Sequence, residues 1–377
     1  MPEFADYMVV LFEPLIAAAK RPDLDGKLIT ADLPVDRKEA QFAKLSSLKK
    51  AGDGPIYFGP AGFIARFYYG NETFFCVSAE QLNTQENADL EDWAESQELI
   101  KTELDESTFL FLTYNFRSLY RVKSAYLQQQ DAENMIDVPR SSGEYEFDIN
   151  DVINWYERIV VFQVPRDSLF LNSTDFKIAA HLTAANKAFR SPLIDDDTVI
   201  ALRSLLLAGN VNPELVFFAL TSSHWKHVFL EVYRCIEVLF FLPWALKLKT
   251  IFGYGNSAED LARSVHNEFP YRPQEKESMR DLFALAGEAT VKSSYLAEVK
   301  CFNGLISQID ASTGAFGERV YRLRNQFVHL RDYNHSEQLT VTLDCWPILV
   351  KYLCSVVIEL YTKYREDITF EYKVTGD

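Results

Sequence analysis

The hydrophobic pattern of this 377-residue chain changes period once, near residue 195, and that change limits what the chain can fold into. Before it, Ile56–Phe58, Phe63–Tyr69 and Thr73–Ser78 are short aromatic and β-branched runs separated by Gly-Pro-Ala-Gly and Gly-Asn-Glu, a pattern that predicts an antiparallel β-meander. Thr108–Phe116, Arg158–Val164 and Phe176–Leu182 read as further strands. The acidic stretch Glu80–Glu106 reads as a solvated helix or loop, Ser124–Met135 as a loop or exposed helix end, and residues 1–50 as one or two short helices.

After residue 195 the strand pattern fades. Asp195-Asp196-Asp197 with Thr198 caps a predicted helix through Leu207, and Pro213–Leu220 forms a second with proline in its first turn. A long helix is expected from His224 towards Leu248, with Trp225, Phe229, Val232, Ile236, Leu239 and Phe240 as its apolar stripe. Shorter helices follow at Ala258–Glu268 and Lys276–Lys292, then helix and loop over Ser293–Ala311. A strand-like Leu339–Leu343 precedes a last helix over Trp346–Tyr364. The expected fold class is therefore α+β, with a mixed α/β domain over 1–190 and an all-α bundle over 195–377.

Charge separates the same two halves. The first 200 residues hold 33 acidic against 19 basic residues, and the remainder holds 21 against 19, within a net charge of −16. An acidic chain is a poor general ligand for nucleic acid, because phosphate contact dominates that affinity; a local basic patch in the second half escapes the objection. Cys76, Cys235, Cys301, Cys345 and Cys354 show no paired metal-ligand spacing and read as core thiols in a reducing compartment. The N-terminus lacks the basic start of a signal peptide, and Val238–Leu246 is too short to span a bilayer, so the expected location is cytoplasmic, with no membrane partner.

One stretch carries a candidate site. In Gly317–Asp332, GERVYRLRNQFVHLRD, the residues Phe316, Val320, Leu323, Phe327 and Leu330 make a single helical seam. At about 100° per residue, Arg324 and His329 stand about 140° apart on the far side, with Tyr321, Asn325, Val328 and Asp332 between them. A merely solvated face has no reason to set tyrosine and valine beside an Arg-Asn pair and a histidine. The face reads as a contact surface.

RNQFVH resembles the Arg-Asn-x-x-x-His motif of HEPN domains, helical bundles found in RNA-cutting toxins and abortive-infection proteins. FLEVYRCIEVLFF, Phe229–Phe241, resembles a signature helix of the ApeA-like branch. The resemblance covers roughly residues 195–368. It implies a homodimer that pairs two motif copies and cleaves RNA with no metal and no cofactor. By that resemblance His329 moves protons around the attacking 2′-hydroxyl and the leaving oxygen, Arg324 holds the scissile phosphate, and Asn325 orients the ring or the phosphate. Tyr321, Arg322, Arg331, Arg234 and Glu237 are supporting or RNA-binding candidates. A toxin or antiviral defence role, with an antitoxin or a phage-derived trigger as possible partner, is implied by the family alone.

Plainer readings stand beside these. Arg234 and Glu237 are expected to pair with each other and brace the bundle, and Arg322 and Arg331 to be surface residues. His224, His227, His266 and His335 are assigned surface or cap roles, and Trp225 and Trp244 are assigned to the core. Two other functional readings remain open: a non-catalytic HEPN-like dimerisation module, and a protein whose N-terminal half senses a ligand or restrains the bundle.

Overall fold

The computed structural model describes residues 4–21, 43–51, 54–58, 62–136, 149–171, 173–208, 210–268, 274–286, 313–328 and 341–369. The chain divides into two compact units, with the division between Asp175 and Phe176. The fold is α+β: an antiparallel sheet with helices in the first unit, and helices in the second.

In the first unit, helix α1 (Phe4–Ala19) precedes strands β1 (Leu48–Lys50), β2 (Ile56–Tyr57), β3 (Phe63–Tyr69) and β4 (Glu72–Ser78). Helix α2 (Thr84–Ser96), strand β5 (Ile100–Thr102), helices α3 (Glu106–Asn115), α4 (Gln129–Ile136) and α5 (Ile149–Trp155), and strand β6 (Ile159–Val164) complete it. The sheet order is β1-β3-β4-β6-β5, with β2 also paired to β3. The expected meander thus runs only through β4. The chain then leaves for the β5 edge, and β6 returns between β4 and β5. The β3–β4 hairpin turns at Gly70, whose φ of 59° is costly for a residue bearing a Cβ.

Period-2 alternation sends side chains to both faces, and both are buried. Phe63, Ala65, Phe67, Cys76 and Val161 meet α1 and α3, where Tyr7, Leu11, Phe12, Phe109 and Leu112 close the core. On the other face Phe75 packs on Phe162 at 5.3 Å and on Trp93 of α2 at 6.3 Å. Arg66 lies on that face too. Its Nη1 donates to the Ser173 carbonyl at 2.8 Å, and its Nε makes an ion contact with Asp175 at 2.7 Å.

The second unit holds α6 (Asp175–Ala185), α7 (Asp196–Leu207), α8 (Pro213–Thr221), α9 (Trp225–Glu237), α10 (Leu242–Phe252), α11 (Ala258–Glu268), α12 (Glu275–Leu285), α13 (Thr313–Val328) and α14 (Trp346–Lys363). The Asp195 cap read from sequence is in place, and Asn212 adds one that was not read there. Asp195 accepts from the Thr198 N–H at 2.7 Å, and Asn212 accepts from Glu214 ahead of Pro213. Residues Asp367–Thr369 strap the bundle after α14. Asp367 Oδ1 accepts from Lys249 Nζ at 2.6 Å and from the Ala258 N–H at 3.1 Å, and buried Glu259 accepts from Thr369. Among the described residues no helix is long and apolar enough to cross a membrane.

Several sequence expectations are corrected. Thr108–Phe116 is the helix α3, not a strand: Ser107–Thr113 are buried without a break, so the run has no period to separate helix from strand, and Asp105 caps it by accepting from the Thr108 N–H. Phe176–Leu182 is part of α6, an alanine-rich buried helix rather than a strand. The helix expected from His224 to Leu248 is two helices. Pro243 offers no N–H to Leu239, so the chain breaks over Val238–Phe241 and restarts with proline in the first turn of α10. Val341 and Thr342 form no strand, and Leu343–Cys345 is a single 3-10 turn; Leu339 and Thr340 lie outside the described residues. Strands β1 and β5 were not foreseen. At three residues each, neither shows an alternation that a pattern can register.

Within α6, His181 is 9% exposed, and burial, with Lys177 and Arg203, holds its imidazole down at about 4. The folded protein therefore binds fewer protons here than the unfolded chain between about pH 4 and pH 6.5. Stability from this group should fall as pH drops through that window, by about 3 kcal/mol in total. Urea unfolding across the window should show this loss in the wild type, and His181→Gln should remove that part of the slope.

Candidate active site

Helix α13 carries the motif, and its seam is buried as the spacing implies: Phe316, Val320 and Leu323 are inaccessible, and Phe316 meets Tyr352 of α14 edge-on at 5.0 Å. The first half of α13 lies flush on α12. A Cβ at Gly317 would stand 2.7 Å from the Met279 carbonyl oxygen, and one at Gly314 would stand 2.9 Å from Arg280 Cγ. Glycine at 317 is a packing requirement. Gly317→Ala gains about 1 kcal/mol of helix propensity but must push α12 backbone away, so a net loss of about 1–3 kcal/mol is expected in denaturant unfolding.

The second half of α13 meets α9 and the start of α14. Phe327 packs edge-on against Phe229 at 5.9 Å and lies 5.8 Å from the Trp346 ring. In this crossing stands Arg324, and its placement corrects the sequence reading. It follows Val320 by one turn and precedes Phe327 by one turn, so it borders the seam rather than facing away from it. Its side chain is 17% exposed and turns towards α9. Nη2 pairs with Glu237 Oε1 at 3.1 Å, Nη1 donates to Asn325 Oδ1 at 3.0 Å, and the guanidinium lies 5.6 Å from the centre of the Tyr233 ring.

Glu237 therefore pairs with Arg324, not with Arg234. Arg234 donates through Nη1 to both oxygens of Glu231, each at 2.9 Å, and is exposed on the outer side of α9. Tyr321 and Asn325 are half-buried, Arg322 is exposed, and Val328 is exposed at the end of the helix. His329 and Arg331 lie outside the described residues, as do Leu330, Asp332 and His335. Trp225 is buried in the core, and Trp244 is half-buried.

Sequence reasoning gave Tyr233 no role beyond its place in the Phe229–Phe241 stretch. It shares a face of α9 with Glu237, one turn earlier, and is 1% exposed. Among the described residues its hydroxyl has no hydrogen-bond partner. Burial, then the Glu237 carboxylate, pushes this phenol far up, while Arg324 pulls the other way. Glu275 at the start of α12 and Tyr321 also bear on it. A polar residue inside an apolar stripe was the available signal.

The geometry offers a guanidinium held in a fixed orientation by a carboxylate, a neighbouring amide and an aromatic face. Such a group can receive a phosphate or brace a helix crossing. Comparison with protein-family models, curated proteins and solved structures finds no match.

Proposed function

We propose that the helical unit is a metal-independent endoribonuclease of the HEPN type, acting in the cytoplasm as a homodimer in a toxin or antiviral defence role. The observation that carries this reading is the Arg324–Asn325 pair, joined at 3.0 Å, with His329 following four residues after Asn325 in sequence. In the proposed reaction His329 takes the proton of the ribose 2′-hydroxyl. The 2′-oxygen then bonds to phosphorus, the bond from phosphorus to the 5′-oxygen breaks, and that oxygen takes up a proton, leaving a 2′,3′-cyclic phosphate and a 5′-hydroxyl. Arg324 offsets the charge that builds on the non-bridging oxygens, and Asn325 holds it in line. The face around Tyr321, Asn325 and Val328 meets its symmetry mate and brings two motif copies together.

A second reading has its own support. Arg324 is engaged by Glu237 and Tyr233, the bracing expected of a structural arginine in a non-catalytic dimerisation module, with the first unit as ligand sensor or restraint. In the first unit an open cleft beside β5 is lined by Asn87, Glu91, Lys101, Thr102, Glu103 and Arg158.

Purified protein incubated with total RNA in EDTA distinguishes the two readings. The nuclease reading expects fragments ending in cyclic phosphate, undiminished by the chelator, and growth arrest with RNA loss on expression in cells. Intact RNA in both assays, from a protein that is dimeric in solution, sinks it in favour of the module.

A further inference from the structure

The start of α9 carries three basic-capable side chains that no part of the site above uses. His224 caps the helix, its Nδ1 accepting from the Lys226 N–H at 3.2 Å, and the His224 and His227 rings lie 5.9 Å apart. Lys226 lies between them in sequence, and all three are exposed. The first turn of α9 contains no acidic residue. Among the described residues Lys226 has no carboxylate partner, and the nearest acid along the helix, Glu231, is taken by Arg234. In a chain of net charge −16 this sets one cation, without a carboxylate partner among the described residues, and two imidazoles at the positive end of a 13-residue helix.

Its position ties it to the motif. Lys226 Nζ stands 4.9 Å from the centre of the Phe327 ring, two residues before His329 in sequence. Along α13, Arg324 meets α9 at Tyr233 and Glu237, while Phe327 meets it at Phe229 and Lys226. The two helices therefore run antiparallel here, and the patch lies beyond Arg324 in the direction the motif runs.

We propose that Lys226, His224 and His227 form a phosphate subsite for single-stranded RNA, holding a backbone phosphate that flanks the one at Arg324. This rests on the ribonuclease reading for its substrate, but it makes a separable claim about binding. A cation and two imidazoles at a helix start suit a phosphodiester, and the patch is the local exception that lets an acidic chain take a polyanion. Such contacts position the strand without reading its sequence.

The test uses the full chain and a fluorescein-labelled 2′-O-methyl RNA, which cannot be cut because its 2′-oxygens carry no proton. Binding is measured over a series of salt concentrations for the wild type, for Lys226→Gln/His227→Gln, and for Lys49→Gln, an exposed lysine of β1, as a control of charge elsewhere. The double variant should flatten the dependence of log affinity on log salt by about 0.7 to 1.4, while the control should leave it unchanged. On cleavable RNA the double variant should raise KM and keep kcat, with its thermal midpoint near the wild-type value. An unchanged slope in the double variant, an equal fall in the control, or no binding by the wild type each overturns the subsite. Salt-dependent binding through the patch without any cleavage keeps the subsite and removes the nuclease reading. Cleavage with an unchanged slope does the reverse.

Discussion

Arg324→Ala is expected to reduce RNA cleavage by about a hundredfold to a thousandfold while lowering stability by only about 1 kcal/mol. The two effects separate because they rest on different features of the same side chain. For stability, Arg324 contributes one contact to Glu237, a carboxylate about one-third exposed and therefore screened, together with its packing over Tyr233. For catalysis, the proposed reaction asks it to supply the positive charge opposite the oxygens where charge builds as phosphorus becomes five-coordinate, from its place beside Asn325. His329→Ala should lose as much cleavage, since it removes the group assigned to the proton. Arg324→Lys should fall between, because an ammonium keeps the charge but cannot span Glu237, Asn325 and the Tyr233 face as a planar fork does. Single-turnover cleavage of an end-labelled RNA, set beside urea unfolding of the same preparations, reads both quantities. Wild-type cleavage by Arg324→Ala would falsify the site. A collapse of stability by several kcal/mol would instead mark Arg324 as the brace of the second reading.

The largest expected stability change lies in the other unit. Arg66→Ala should cost about 3–5 kcal/mol, because it strands a carboxylate. Arg66 has 3% of its side chain exposed and Asp175 14%, and the guanidinium also satisfies the Ser173 carbonyl. Removing the cation leaves an anion with little water near it, beside an acceptor without its donor, in a layer otherwise filled by Phe75, Phe162 and Trp93. Arg66→Met keeps the apolar stem and should cost nearly as much, which identifies the charge rather than the volume as the cause. Adding Asp175→Asn to Arg66→Met should recover a large part of the loss, since the buried charge is then gone from both sides. The measurement is the urea midpoint at constant slope, and additive losses in the double variant would show that the two residues are not coupled.

How much of this was legible depends on the distance in sequence over which each feature is encoded. The hairpin at Gly70, the cap at Asp195, the first-turn proline at Pro213, and the seam Phe316–Val320–Leu323 are local. Turn chemistry and helical period write them into a few adjacent residues, and they appear where the pattern puts them. The same locality explains the failures. Ser107–Thr113 and Ile178–Thr183 are buried all round, so neither period shows, and β1 and β5 are too short to display one.

For the candidate site, the sequence alone determined the residue types and their order: Arg324 and Asn325 on one helix, His329 four residues further on in sequence, and Glu237 on an earlier helix. Which side chains meet was decided by the tertiary structure. Glu231 could claim Arg234 because it lies one turn away, a spacing that sequence can show. Arg324 and Glu237 are 87 positions apart, and Lys226 and Phe327 are separated by a whole run of helices. Those pairs exist because Gly314 and Gly317 let α13 lie flush on α12, and because Pro243 ends α9 where it does. A helical period specifies which face is apolar but not which helix will cover it. Arg324 borders the seam, so only the helix crossing decides whether it faces water or Glu237.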